Sequence, residues 1–166
     1  KNKNICNYVH LPLQAGSDRI LKRMNRNYSR VQFIELAKRI RAAIPNVGIS
    51  TDIIVGFPGE TDKEFEETLE VMKEVKFDFA YNFIYSPRKG TKAAEFDDFI
   101  SENDKKKRLQ DVINLQKLHT LERNKSLIGT SQEVIIEKES KMSQSQWAGR
   151  TDSNKWVIFD KQNLKI

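Results

Sequence analysis

His10, Gln14, Ser17 and Asp52 are the side chains in the first part of the chain that could hold a ligand or move a proton, and each lies where an apolar run meets a turn. The sharpest turn is "GFPGET", residues 56–61, directly behind the β-branched run "TDIIV". A glycine turn between a strand and a helix exposes backbone N–H groups to anions. This one has neither the G-x-x-x-x-G-K-[ST] of a phosphate loop nor the G-x-G-x-x-G of a dinucleotide turn, so phosphate cradling is not expected. Residue types alone describe a tight turn, with Pro58 fixing φ and Gly59 taking an unusual one. No His/Cys/Asp spacing fits a metal site or a hydrolytic triad. His10 reads first as a buried histidine satisfied by a neighbour, and His119 as structural.

The second group is "QWAGRTDSNKWVIFD", where Trp147, Arg150, Lys155 and Trp156 interleave aromatic rings and cations. A β module with such a face can stack bases and track phosphates. Trp147, Arg150 and Lys155 are the expected RNA contacts, with Trp156 assigned to a strand core as the plainer alternative.

These residues are positioned by one repeated pattern of strand, turn and amphipathic helix, which predicts an α/β fold with a parallel sheet. The units are "ICNYVHLPL" with the turn "QAGS", the strand 48–55 with "GFPGET", and "FDFAYNFIYS" with "PRKGT". Ser17 is expected to cap one helix; Ser29 with Gln32, and Thr61 with Glu64, form capping-box patterns. Ser101 opens a long helix to about Ser126, with Leu109, Val112, Ile113 and Leu121 as its stripe. Alternation sends Val9, Leu11, Leu13, Ile49, Ile53, Val55 and Phe57 to the helices. It sends His10, Pro12, Gln14, Ser50, Asp52, Ile54 and Gly56 to the opposite face, the lumen if the sheet is part of a barrel. Gln14, Asp52 and Gly56 then meet at one mouth, with Ser17 in the adjoining turn. After Gly129 the texture changes to two short strands, "QEVIIEKES" and "KWVIFD", so the expected domains are 1–126 and an all-β part, 127–166.

The chain of 166 residues has a net charge of +6, a single cysteine, and no apolar run of membrane-spanning length, which predicts a cytoplasmic protein without a membrane partner. Residues 1–50 hold ten Lys/Arg against two Asp/Glu, and residues 51–100 hold six against twelve, so the basic excess lies early. The absence of an initiator Met before strand-like sequence suggests a piece of something longer.

Together "HLPLQAGSDRILKRMNR", "STDIIVGFPGET", "FIYSPRKGTKAA" and "AGRTDSNKWVIFD", in this order, resemble the radical S-adenosylmethionine methylthiotransferases, most closely their MiaB branch, the tRNA 2-methylthioadenosine synthases. The resemblance runs from about Asn7 to Phe159. It implies the last three βα units of an open (β/α)6 partial TIM barrel, followed by the beginning of a small all-β RNA-binding TRAM domain. It implies S-adenosylmethionine and two 4Fe–4S clusters as cofactors, with the cluster cysteines outside this segment, since Cys6 matches no ligand position. The turn at Gln14 and Ser17 resembles one lining the S-adenosylmethionine pocket, and the strand at Ile54 and Gly56 one that contacts its adenine; Glu60 is expected to support the turn. Ala15 stands for the commoner Ser, and Lys89 for a proline.

The implied reaction is methylthiolation of an isopentenylated adenosine beside the tRNA anticodon. The implied partners are the anticodon stem-loop and a missing N-terminal part of the same protein. No catalytic or metal-ligating residue is expected in this segment, which should be inactive alone. The alternatives are a threonylcarbamoyladenosine tRNA methylthiotransferase, a ribosomal-protein methylthiotransferase, and a non-catalytic tRNA-binding fragment. "HLPLQAG" replaces the D-x-P-x-Q-H usual in the ribosomal-protein branch, which ranks it lower.

Overall fold

In the computed structural model, which describes residues 4–97 and 99–161, helix α1 is Asp18–Arg23, α2 Arg30–Ala43, α3 Asp62–Val75 and α4 Glu102–Lys125. Each begins where the local chemistry says it should. Ser17 accepts the Ile20 N–H, both capping boxes form, and Ser101 accepts from Asp104, satisfying N–H groups that a helix start leaves open.

The helices pack on a parallel sheet of β1 (Tyr8–His10), β2 (Gly48–Val55) and β3 (Phe79–Ile84), in the order β1-β2-β3. Strand β1 is shorter than the run "ICNYVHLPL"; Pro12 interrupts it and pairing resumes at Gln14, which bridges Ile53. Alternation is as expected. Leu13, Ile49, Ile53 and Val55 are fully buried against α2 and α3 with Val71, Met72 and Phe77, and each such side chain contributes about 1.5–3 kcal/mol.

The long helix α4 departs from the expected stripe. Val112 is fully buried and Leu109 packs partly buried on the core with Leu115, but Leu121 is exposed, and the other buried residues of the helix are Lys105, Arg108, Gln116 and His119. The helix lies over the sheet edge and the turns, where it meets carbonyls and carboxylates as well as apolar side chains. Gln116, for example, donates to the Phe77 carbonyl at 2.9 Å.

Beyond α4 the chain forms an antiparallel sheet of three strands: β4 (Val134–Glu139), β5 (Gln146–Thr151) and β6 (Trp156–Asp160), in that order. The middle strand β5 was not expected; its small and polar residues carry no apolar alternation, and pairing on both sides makes it a strand. No described helix is long and apolar enough to cross a membrane.

Candidate functional site

The face of the parallel sheet turned away from the helices carries a connected polar chain. The Ser50 hydroxyl meets the Tyr8 hydroxyl and lies 2.7 Å from His10 Nδ1, while His10 Nε2 is 3.3 Å from Asp52 Oδ2. His10 has its expected neighbours, two from the adjacent strand, but it is not buried: its side chain is 37% exposed at the strand end. Tyr81 on β3 meets the His10 ring edge-on at 5.9 Å.

At the C-terminal end of these strands, Gln14 adopts φ +68°, donates its N–H to the Asp52 carbonyl and accepts from Ile54 N–H, each at 2.8 Å. A side chain in this left-handed region is uncommon, and the paired β2 backbone holds it there. Gln14, Asp52 and Ile54 are thus brought together at one end of the sheet, with Asp52 and Ile54 partly open.

Ser17 and Gly56 are present at the same rim but already engaged. Ser17 is buried; its hydroxyl donates to Glu64 Oε1 at 3.0 Å while capping α1. The Gly56 N–H goes to Glu60 Oε2 at 2.8 Å. Its φ of +70° suits glycine, and an added Cβ would come within 2.6 Å of the Lys105 side chain on α4. The Ser17 hydroxyl and the Gly56 N–H are thus both bonded within the rim they shape.

Four charged residues, in two pairs from distant segments, build this rim. Glu60 is buried and accepts from Gly56 and from Arg108 Nη1 at 2.8 Å, as its expected turn-supporting role requires. Burial pushes the Glu60 carboxyl up, against the pull of Gly56 N–H and Arg108. Arg19 bonds both oxygens of Glu64 at 2.6 Å and also the Gly59 carbonyl, tying α1 to the turn. That guanidinium, opposed by burial and helped by Thr61 and Ser17, holds the Glu64 carboxyl down to about 2. Arg19 and Arg108 escaped the sequence reading because the signal is spatial; only the charge of Glu60 beside the turn hinted at a cation.

The antiparallel sheet divides the expected RNA residues. Register places Arg150 opposite Ile135 and Trp156, and Trp147 opposite Glu139 and Phe159, so Trp147 faces away from Arg150. The indole Nε1 of Trp147 is buried, and Lys161 sits 4.2 Å from its ring. Trp156, assigned above to a core, is 54% exposed, with Lys138 at 4.8 Å and Arg150 at 5.1 Å from its ring. Lys155 is not a surface cation either. Its ammonium pairs at 2.9 Å with buried Asp78, the residue just before β3.

Cys6 is exposed, and among the described residues no group of His, Cys, Asp and Glu could hold a metal ion. A 4Fe–4S cluster on cysteine thiolates needs more of them than the one this chain contains.

Residues 1–72 match the radical SAM superfamily and residues 125–166 match the TRAM domain. Nearly the whole chain is similar to proteins named tRNA-2-methylthio-N(6)-dimethylallyladenosine synthase. That of Christiangramia forsetii is 50% identical over 99% of this chain and 34% of its own length. That of Pelotomaculum thermopropionicum is 48% identical over 95% of this chain and 35% of its length, and that of Clostridium botulinum 45% over 99% and 37%. The chain thus spans about a third of the length of the curated relatives it matches.

Proposed function

We propose, from a chain that belongs in its first part to the radical SAM superfamily and in its last part to the TRAM domains, that it works within a longer tRNA methylthiotransferase. The single observation that carries this is the match to synthases so named along 99% of the chain, across both domains and at 50% identity. The radical SAM part is assigned to 1–126 and the TRAM part to 127–166. The substrate is an isopentenylated adenosine next to the tRNA anticodon, and the partners are the anticodon stem-loop and the remainder of the same polypeptide. The names of the relatives do not favour the threonylcarbamoyladenosine alternative.

S-adenosylmethionine, when bound, supplies the radical initiator and the methyl group, and the iron–sulfur clusters are held outside this chain. The residues here fit the cofactor in part. Gln14, Asp52 and Ile54 stand together at the partly open strand ends and are assigned to its binding, Ile54 as apolar seat and Asp52 as acceptor for a hydroxyl or ammonium. Ser17 and Gly56 belong to the same site through the rim they stiffen. The chain's share of the chemistry is binding, orientation and exclusion of water.

Deletion of the encoding gene should remove the 2-methylthio group from isopentenylated adenosine, read by mass spectrometry of tRNA nucleosides. Loss of 2-methylthio-threonylcarbamoyladenosine instead would move the assignment to the other branch. The 166-residue chain given S-adenosylmethionine, reductant and tRNA should show no turnover.

A further inference from the structure

Between the two sheets lies a cavity of about 570 Å³, outside the strand ends that carry the proposed cofactor site. Its barrel wall is Tyr8, Phe79 and Tyr81, at the beginnings of β1 and β3; its other wall is Arg150 and Trp156. Phe79, Tyr81 and Trp156 are each about half exposed, at 50%, 49% and 54%. Large aromatic rings left open toward one another across a space of this size form a ligand site more readily than a packing defect.

The chemistry of the two walls differs in a way that selects the ligand. Phe79 and Tyr81 are stacked edge-to-face at 4.9 Å and carry no cation, so they offer an apolar flank. Trp156 offers a ring flanked by Lys138 and Arg150, which the strand register puts on its own face of the sheet; Arg150 is already held by Glu137 at 2.6 Å and Asn154 at 2.9 Å. A planar π system with an attached anion suits both walls, the ring on the aromatics and the anion toward Lys138. Asn124 and Gln132 at the margin can serve a base edge.

The walls are also held in place before any ligand arrives. Lys155 is paired with Asp78, the Asn7 N–H donates to Asp152 Oδ1 at 2.9 Å, and a Cβ on Gly48 would collide with the Ser153 carbonyl at 2.3 Å. Strand β2 and the β5–β6 turn therefore touch without room for a side chain, and a preformed cavity loses little entropy on binding.

We propose that this cavity receives one unpaired nucleotide of the RNA substrate, its base against Trp156 and the Phe79–Tyr81 flank and its phosphate toward Lys138, with Arg150 held beside the ring by Glu137. The proposal rests on the tRNA reading above and adds a second RNA contact at the opposite end of the sheet from the cofactor residues.

The test uses the full-length protein and two RNAs, a hairpin with an open loop and a blunt duplex of equal length. Affinity is followed by fluorescence anisotropy, and 4-thiouridine in the loop is photo-crosslinked and mapped by mass spectrometry. Trp156→Ala should weaken loop binding roughly tenfold or more, Trp156→Phe should retain most of it, and none of the variants should change duplex binding. Tyr81→Ala, on the other domain, should weaken loop binding too, which separates the cavity from any misfolding of the small sheet. Crosslinks should fall within 79–81 or 154–157. Wild-type affinity in Trp156→Ala and Tyr81→Ala, or crosslinks only elsewhere, overturns the cavity while the tRNA reading stands. A wild-type protein that binds neither RNA overturns both.

Discussion

Glu64 shows how much one side chain can join. It accepts the Thr61 N–H and hydroxyl in the capping box of α3, the Ser17 hydroxyl that caps α1, and both arms of Arg19. Local spacing makes the first of these legible, since a Thr followed three residues later by Glu before an apolar run is a helix start wherever it occurs. The second and third join residues 47 and 45 positions apart, and no local pattern points to them. Because the folded carboxyl sits at about 2 and its ordinary value is 4.5, Glu64 stabilises the fold at any pH above about 4.5. That stability is lost as pH falls toward about 2. Arg19→Ala should flatten the acid slope of Tm over this window and leave Tm near neutrality less affected than Glu64→Gln does. Thermal melts in a pH series give the comparison; an unchanged acid slope in Arg19→Ala would show that the pairing does not set the titration.

The elements repeat this division between what neighbours in sequence decide and what distant residues decide. Strand β2 was readable because alternation on a parallel sheet with one helical face is strict: Ile49, Ile53 and Val55 could be placed against the helices without knowing any partner. Strand β5 was not, and neither was the buried face of α4, because a helix that covers turns must bury the groups those turns expose. Arg108 is the clearest case. Its side chain is 8% exposed, bonds Glu60 and Asp62, and lies over the Phe65 ring at 5.5 Å. Arg108→Met keeps most of the packing but leaves the buried Glu60 carboxyl with Gly56 N–H alone. The expected cost is about 3 kcal/mol, seen as a lower midpoint in urea, with amide exchange quickening first at 56–60. Glu60→Gln in the same background should recover part of the loss, since a neutral amide needs no cation. Failure to recover would mean that Arg108 acts through Phe65 and Asp62 instead.

At the scale of the whole molecule, the question is what fixes one sheet against the other, and Asp78 is where the connections meet. Its carboxyl is buried and accepts the Ile49 N–H at 3.0 Å, Arg123 of α4 at 3.2 Å, Arg41 of α2 at 3.4 Å and Lys155 of the β5–β6 turn at 2.9 Å. Burial alone would push this carboxyl up, but the Ile49 N–H and the Lys155 and Arg123 cations outweigh it and hold Asp78 below the ordinary carboxylate range. A sequence cannot show this, because "NKW" looks like a cation beside an aromatic, a natural RNA contact, until Asp78 arrives from 77 residues away. The consequence is a physical one. A depressed carboxyl stabilises the docked arrangement above its ordinary value of 3.8 and releases it below, so acid should loosen the two sheets together with the cavity between them. Asp78→Asn at neutral pH should do the same by leaving Lys155 and the two arginines without their anion. Small-angle scattering should then report a larger radius of gyration, and amides of 48–50 and 151–155 should exchange faster, while the core amides of Ile53 and Val71 keep their protection. Lys155→Met removes one cation and leaves Asp78 with Arg41 and Arg123, so it should loosen the β module with less loss of barrel stability than Asp78→Asn. If both variants scatter as the wild type does, the docking rests on the Gly48–Ser153 contact and the Asn7–Asp152 bond rather than on charge.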